Sequence, residues 1–158
     1  MILNCQRTVR VPVHVLQDFL LRLQKEFGLD PEDVTIRLVS DAEMARMNET
    51  FRAKKGPTDV LSFPALVTQR TVTRAGGKIA GSKRRATSSA PGAAYLGDIA
   101  ISPATARHNA KTYGRTVPSE LRILILHGVL HLLGYDHEND RGQMNRVERR
   151  LRRKFRLA

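Results

Sequence analysis

Leu121–His137 reads LRILILHGVLHLLGYDH, and this stretch decides how the rest of the chain must be arranged. Leucine, isoleucine and valine fill nearly every position from Leu121 to Leu133, so a helix here has no polar face to offer to water and belongs inside a core. The expected helix starts near Pro118, with Ser119 and Glu120 in its first turn, and Gly134 ends it. His127 and His131 lie four residues apart on it, which brings both imidazoles to one face. Two imidazoles in such a helix cost roughly several kcal/mol unless hydrogen bonds or a metal satisfy them. His137, three residues past Gly134, can fold back to complete a three-histidine face for one transition-metal ion, zinc above all. Structural zinc sites are closed by four ligands; three leave a position open, which points to catalysis.

The spacing H-x3-H-x2-G-x2-H also belongs to a large class of zinc proteases, in which a glutamate follows the first histidine as general base. Here that position is Gly128, so the protease mechanism lacks its base. Glycine inside a helix costs about 1 kcal/mol relative to alanine and asks for a reason. Room for a bulky substrate beside the metal is one; tight packing against a neighbouring strand is the other. Lone histidines on helix faces are usually satisfied core residues, and His14 and His108 read that way.

Outward from this helix, strands and helices follow one another. Residues 2–10 alternate weakly as a strand. Val13, Leu16, Leu20, Leu23 and Phe27 recur at helical spacing up to a cap at Gly28. VTIRLV (34–39) alternates as a half-buried strand, and Ser40 with Glu43 is a capping-box signature for a helix through about Phe51. RAKKGPTD (52–59) is a loop ending in the strand VLSFP. YLGDIAIS (95–102) is again a strand, and Ser102 and Pro103 start a helix to about Tyr113. A last helix, roughly 140–156, sets Met144, Val147, Leu151 and Phe155 on one face and arginines around the rest.

The chain of 158 residues suits one domain spanning 1–158 with a core of its own. Its single cysteine, Cys5, allows neither an internal disulfide nor a thiolate zinc site, and fits a reducing compartment. With no signal-peptide pattern and no run long enough to span a membrane, a soluble cytoplasmic protein is expected. Of the net charge of +12, residues 65–94 carry +6 and residues 141–158 carry +7, leaving −1 for everything else. Basicity confined to two segments is what a polyanion-binding surface added to a neutral core looks like. The first segment includes a long basic loop, about 67–94, poor in apolar residues, with Lys83, Arg84 and Arg85 as candidate RNA contacts. Aromatic residues are only 5% of the chain, too few for an extended base-stacking platform, so binding should rest on phosphates and weaken with salt.

These residues resemble the YbeY-type single-strand endoribonucleases. The family signature H-G-x-L-H-x-x-G-Y-D-H is matched without departure by HGVLHLLGYDH, His127–His137; a second block appears as NETFRAKKGPTDVLSFP, Asn48–Pro64, and a third as LGDI, Leu96–Ile99. The resemblance implies a small α+β domain, with a mixed sheet of about four strands packed with helices and a three-histidine metal site in a cleft. It implies a zinc-dependent endoribonuclease that matures ribosomal RNA, notably the 3′ end of the small-subunit (16S) RNA, and acts in ribosome quality control. One Zn(2+) per chain would be held by His127, His131 and His137, and Arg52 takes the place of the family's functionally important arginine. Ribosomal RNA and the small ribosomal subunit are the implied partners of a monomer. The basic stretch between Pro64 and Leu96 is longer than the family pattern.

The resulting expectation is that the ion activates the nucleophile or polarises a phosphoryl oxygen. Arg52 clamps the phosphate with its planar donor fork, and Lys54 and Lys55 extend the basic rim. Asp98, Asp136 and Glu138 are candidates for the proton acceptor, although Asp136 is equally suited to orienting a ligand histidine. Two other classes stay open: a ribosome-assembly factor that binds RNA without cutting it, and a metal-dependent hydrolase of another substrate such as peptide.

Overall fold

The computed structural model describes residues 1–65, 95–136 and 140–157. Its strands are β1 (Ile2–Asn4), β2 (Val34–Leu38), β3 (Val60–Pro64) and β4 (Gly97–Ile101), and its helices α1 (Val13–Phe27), α2 (Asp41–Arg52), α3 (Pro103–Thr112), α4 (Val117–Leu132) and α5 (Gln143–Lys154). The four strands form one mixed sheet in the order β1-β2-β4-β3. β1, β2 and β4 run parallel and β3 is an antiparallel edge strand. The architecture is therefore α+β with a four-stranded mixed sheet, as the motifs implied.

Strand alternation gives the sheet two unlike faces. Ile36, Ile99 and Ile101 point into the main core with Leu16, Leu20 and Leu23 of α1, the α4 apolar residues and Met144 and Leu151 of α5. Leu61 and Ala100 point the other way, into a smaller cluster with Met44 of α2. α4 lies where its composition requires: from Leu121 to Leu132 the nine residues other than Arg122, His127 and His131 are all buried, Leu126, Gly128 and Leu130 among them.

Gly128 resolves in favour of packing. A Cβ built on it would fall 2.9 Å from Ile99 Cγ2 and 3.0 Å from Ile99 Cδ1, closer than van der Waals contact allows. Ser62 of β3 donates its hydroxyl to the Gly128 carbonyl at 3.2 Å. The glycine thus lets α4 settle onto β3 and β4, and the reading in which it makes room for substrate is not the one the structure supports. Gly97, in LGDI, is held at φ +145° with the Phe63 carbonyl 2.2 Å from where a Cβ would sit, so the antiparallel β3–β4 pair also depends on a missing side chain.

The helix ends follow the sequence closely. Ser40, Ser102 and Thr116 cap α2, α3 and α4 by accepting the backbone N–H of Glu43, Thr105 and Ser119, and Gly28 ends α1 in the left-handed conformation. The Ser40 box is closed from one side, since the Glu43 carboxylate lies 3.5 Å from Arg37. Three expectations need correction. The first strand stops at Asn4 because the buried Gln6 amide takes over both backbone groups of Val9, donating to its carbonyl and accepting its N–H at 2.9 Å each. α5 begins at Gln143 rather than near 140, because Asp140 folds under it as a cap. His14 and His108 are exposed, not core residues. The basic loop expected at 67–94 lies outside the described residues. No helix among the described residues is long and apolar enough to cross a membrane.

Candidate functional site

The two histidines of α4 are half-buried on a helix whose neighbouring positions are almost all buried. Their Nε2 atoms lie 3.1 Å apart and their rings cross nearly edge-on, with centroids 4.7 Å apart. Two nitrogens bound to one tetrahedral zinc at about 2.0–2.1 Å are about 3.3 Å apart, so the pair already has the separation that a shared ion requires.

The tautomer is set from α5. His127 Nδ1 is 3.0 Å from Glu148 Oε2, which places the proton on Nδ1, donating to the carboxylate, and turns the Nε2 lone pair toward His131. Glu148 is nearly buried, at 7% exposure, and also holds the Arg152 guanidinium one helical turn away. Burial alone would raise its carboxyl, but the His127 hydrogen bond and the charge of Arg152 outweigh burial and hold it below its ordinary value. Carboxylate, imidazole and convergent nitrogens make a donor set that fits zinc. His137, the third expected ligand, lies outside the described residues, as does Glu138; among the described residues alone no group of three potential ligands forms.

Beside His127 opens a cavity of about 350 Å³. Its α4 wall is formed by Glu120, Ile123, Leu124 and His127, residues at i, i+3, i+4 and i+7 on one helix face. Arg152 comes from α5, and Asp59 and Asn109 face it from the β3 approach and from α3. Asn109 donates its amide to Asp59 Oδ2 at 3.1 Å, while Asp59 Oδ1 accepts the Val60 N–H at 2.8 Å.

Arg52 is exposed at the last position of α2, and Lys54 and Lys55 are exposed just after it. None of the three lines the cavity beside His127. The arginines that do line it are Arg115 and Arg152. Asp98 alternates with Ile99 on β4 and so shares the Ala100 face, turned toward α2 and away from α4; its carboxylate accepts the Tyr95 hydroxyl at 2.8 Å. Asp136 is half-buried just beyond the turn that ends α4. Lys83, Arg84 and Arg85 lie outside the described residues. Sequence reasoning missed Glu148, although its signal was present: it is the sole acid in the basic segment 141–158 and sits four residues from Met144, on the apolar face. Asp59 stands within the block Asn48–Pro64 without being singled out, and Asn109 and Arg115 left no comparable trace.

Paired imidazoles oriented by a buried carboxylate, at the edge of an open polar cavity on an α+β domain, are the equipment of a metal-dependent hydrolase. Comparison with known proteins makes the assignment particular. The family model of endoribonuclease YbeY matches residues 4–156. The chain is 42% identical over 150 residues to the endoribonuclease YbeY of Solibacter usitatus (strain Ellin6076), covering 95% of this chain and 82% of that one. It is 39% identical over 157 residues to that of Koribacter versatilis (strain Ellin345), covering 99% and 86%. The solution structure of TM1509 from Thermotoga maritima superposes with a TM-score of 0.55 at 23% identity, covering 99% of this chain and 92% of that one, a likeness of fold. The chain belongs to the endoribonuclease YbeY family.

Proposed function

We propose that the chain is a zinc-dependent, single-strand-specific endoribonuclease that acts in ribosomal RNA processing, including 16S 3′-end maturation, and in ribosome quality control. The observation that carries this reading is the 3.1 Å convergence of His127 and His131 Nε2, with His127 oriented by Glu148 at 3.0 Å, inside a motif that matches the family without departure. One Zn(2+) per chain is held by His127, His131 and His137. When bound, the ion supplies Lewis-acid stabilisation of charge developing on a phosphoryl oxygen.

The chain's own residues do the rest. Glu148 keeps the His127 proton on Nδ1, so that Nε2 stays available as a donor atom. Arg52, at the end of α2, meets the RNA phosphate as a planar, always-charged fork, with Lys54 and Lys55 beside it. Asp98, Asp136 and Glu138 are the acids proposed for the proton acceptor; Asp98 faces the α2 side of the sheet and Asp136 lies just beyond α4. Residues 65–94 and α5 add the positive field that attracts the strand. The protein works as a cytoplasmic monomer on the small ribosomal subunit.

The test compares wild-type protein with its His131→Ala variant on single-stranded RNA, duplex RNA and a peptide library, with zinc content measured in both. Wild type should cut only the single strand, and the variant should lose both ion and cleavage. RNA cleavage that persists unchanged in the variant would overturn the reading.

A further inference from the structure

The cavity beside His127 is not a plain cationic pocket. Arg115 donates to Glu120 at 2.8 Å, Arg152 is held by Glu148, and Asp59 adds a carboxylate. Each guanidinium thus faces an acid, and a site built only for phosphate would not be so balanced. What the cavity does have is a ring at its mouth. Tyr113, the residue that ends α3, is 62% exposed, and the Arg115 guanidinium sits over it, 5.0 Å from the ring centroid. Glu120, itself 3% exposed, fixes that guanidinium from the first turn of α4. The ring is thereby backed on one side by a held cation, and it stands at the cavity mouth.

From Glu120 to His127 is seven residues of α4, about 10 Å at the helical rise. One nucleotide, from the plane of its base to its phosphate, spans a distance of that order. We propose that this cavity is a subsite for one unpaired nucleotide: its base stacks on Tyr113, its edge meets the Asp59–Asn109 pair, and its phosphate lies toward His127. The inference rests on the endoribonuclease reading and deepens it. A base held in a duplex has both faces covered by its neighbours and cannot stack on the ring, so Tyr113 supplies a physical source for single-strand selectivity. Few aromatic residues rule out an extended platform, but a single ring beside the scissile phosphate needs no others. The Arg115–Glu120 pair is a positioning device for that ring, since neither residue has to touch the base.

The chain contains no tryptophan, so a Tyr113→Trp variant of the full protein carries one indole, at the mouth of the cavity. Stopped-flow mixing with a short single-stranded RNA should quench its fluorescence, while an abasic ribose-phosphate oligomer of equal length and charge should not. In steady-state cleavage, Tyr113→Ala should raise KM about tenfold or more, the range for losing one stacked base. Tyr113→Phe should restore it, and both variants should melt with wild type because the ring is exposed. Equal quenching by the abasic oligomer, or an unchanged KM in Tyr113→Ala, overturns the subsite and leaves the endoribonuclease reading standing. If wild type neither binds nor cuts single-stranded RNA, that reading fails and the subsite with it.

Discussion

α4 and α5 are near opposites in composition, and each is interrupted where it meets the other. From Ile123 to Leu132 α4 carries no polar side chain except two imidazoles; α5 carries six arginines and lysines in twelve residues and one acid, Glu148. The exception on one helix bonds to the exception on the other, at 3.0 Å. In a helix whose pattern is nearly uniform, the residue that breaks the pattern has to find a partner, because an imidazole among leucines or a carboxylate against the core is costly alone. The two helices teach that function here is written as a departure from local pattern, and that the departures come in pairs across a packing interface.

The sharpest way to break the comparison is to add a second departure to α4. Gly128→Glu would write the protease sequence H-E-x-x-H into this helix. It should yield no protease: the side chain points into Ile99, which has no exposed surface, and overpacking plus a buried carboxylate should cost more than about 3 kcal/mol. Urea denaturation is expected to find the variant largely unfolded. The milder Gly128→Ala gains about 1 kcal/mol of helix propensity against roughly 1–3 kcal/mol of overpacking, a net loss. In an Ile99→Ala background the clash is gone, and the same substitution should become stabilising. A double-mutant cycle in which its sign fails to reverse would remove packing as the reason for the glycine.

Removing the departure on α5 should act on the ion more than on the fold. Glu148→Gln keeps the size of the side chain but gives up the charge, and zinc affinity measured by chelator competition should fall about 10–100-fold. The same carboxyl carries a pH dependence in the metal-free protein. Its folded value lies below the ordinary 4.5, so the stability it contributes is fully present above that value and is lost as pH falls through the folded value. Denaturation of the wild type should weaken across that acidic window more steeply than that of Glu148→Gln; identical slopes would mean that the His127 and Arg152 contacts do not hold the carboxylate in solution.

Most of the architecture was legible because period and capping are local. The bounds of α1, α3 and α4 follow from apolar spacing, Gly28, Ser102–Pro103 and the all-apolar run, and the His127–His131 pair follows from a helical turn. What escaped depends on partners distant in sequence. Gly128 looks the same whether it makes room for a ligand or for Ile99, until β4 is placed against α4. Asp98 looked like a site residue because LGDI is a motif, yet strand alternation turns it to the other face. Asp59, Asn109 and Arg115 meet around the cavity only after β3, α3 and α4 have packed, and no period announces such a meeting.

The smallest effect expected belongs to Asp140, and it asks whether the pairing of the two helices depends on how well α5 is anchored. Its carboxylate accepts three backbone N–H groups at the start of α5, from Gly142 at 2.7 Å, Gln143 at 3.0 Å and Met144 at 2.6 Å. These are donors that a helix start otherwise leaves without partners, and the negative charge also sits at the favourable end of the helix dipole. Asp140→Ala should cost about 1 kcal/mol, read from the urea midpoint, and fray the first turn. Glu148 lies in the second turn, so the loosened helix should hold His127 less firmly, and zinc affinity should fall, but by less than in Glu148→Gln. Asp140→Asn retains an acceptor oxygen and should recover most of both losses. If Asp140→Ala lowers stability while leaving zinc affinity untouched, the meeting of Glu148 and His127 is anchored by the apolar contacts of Met144 and Leu151 alone, and the cap serves only the helix it begins.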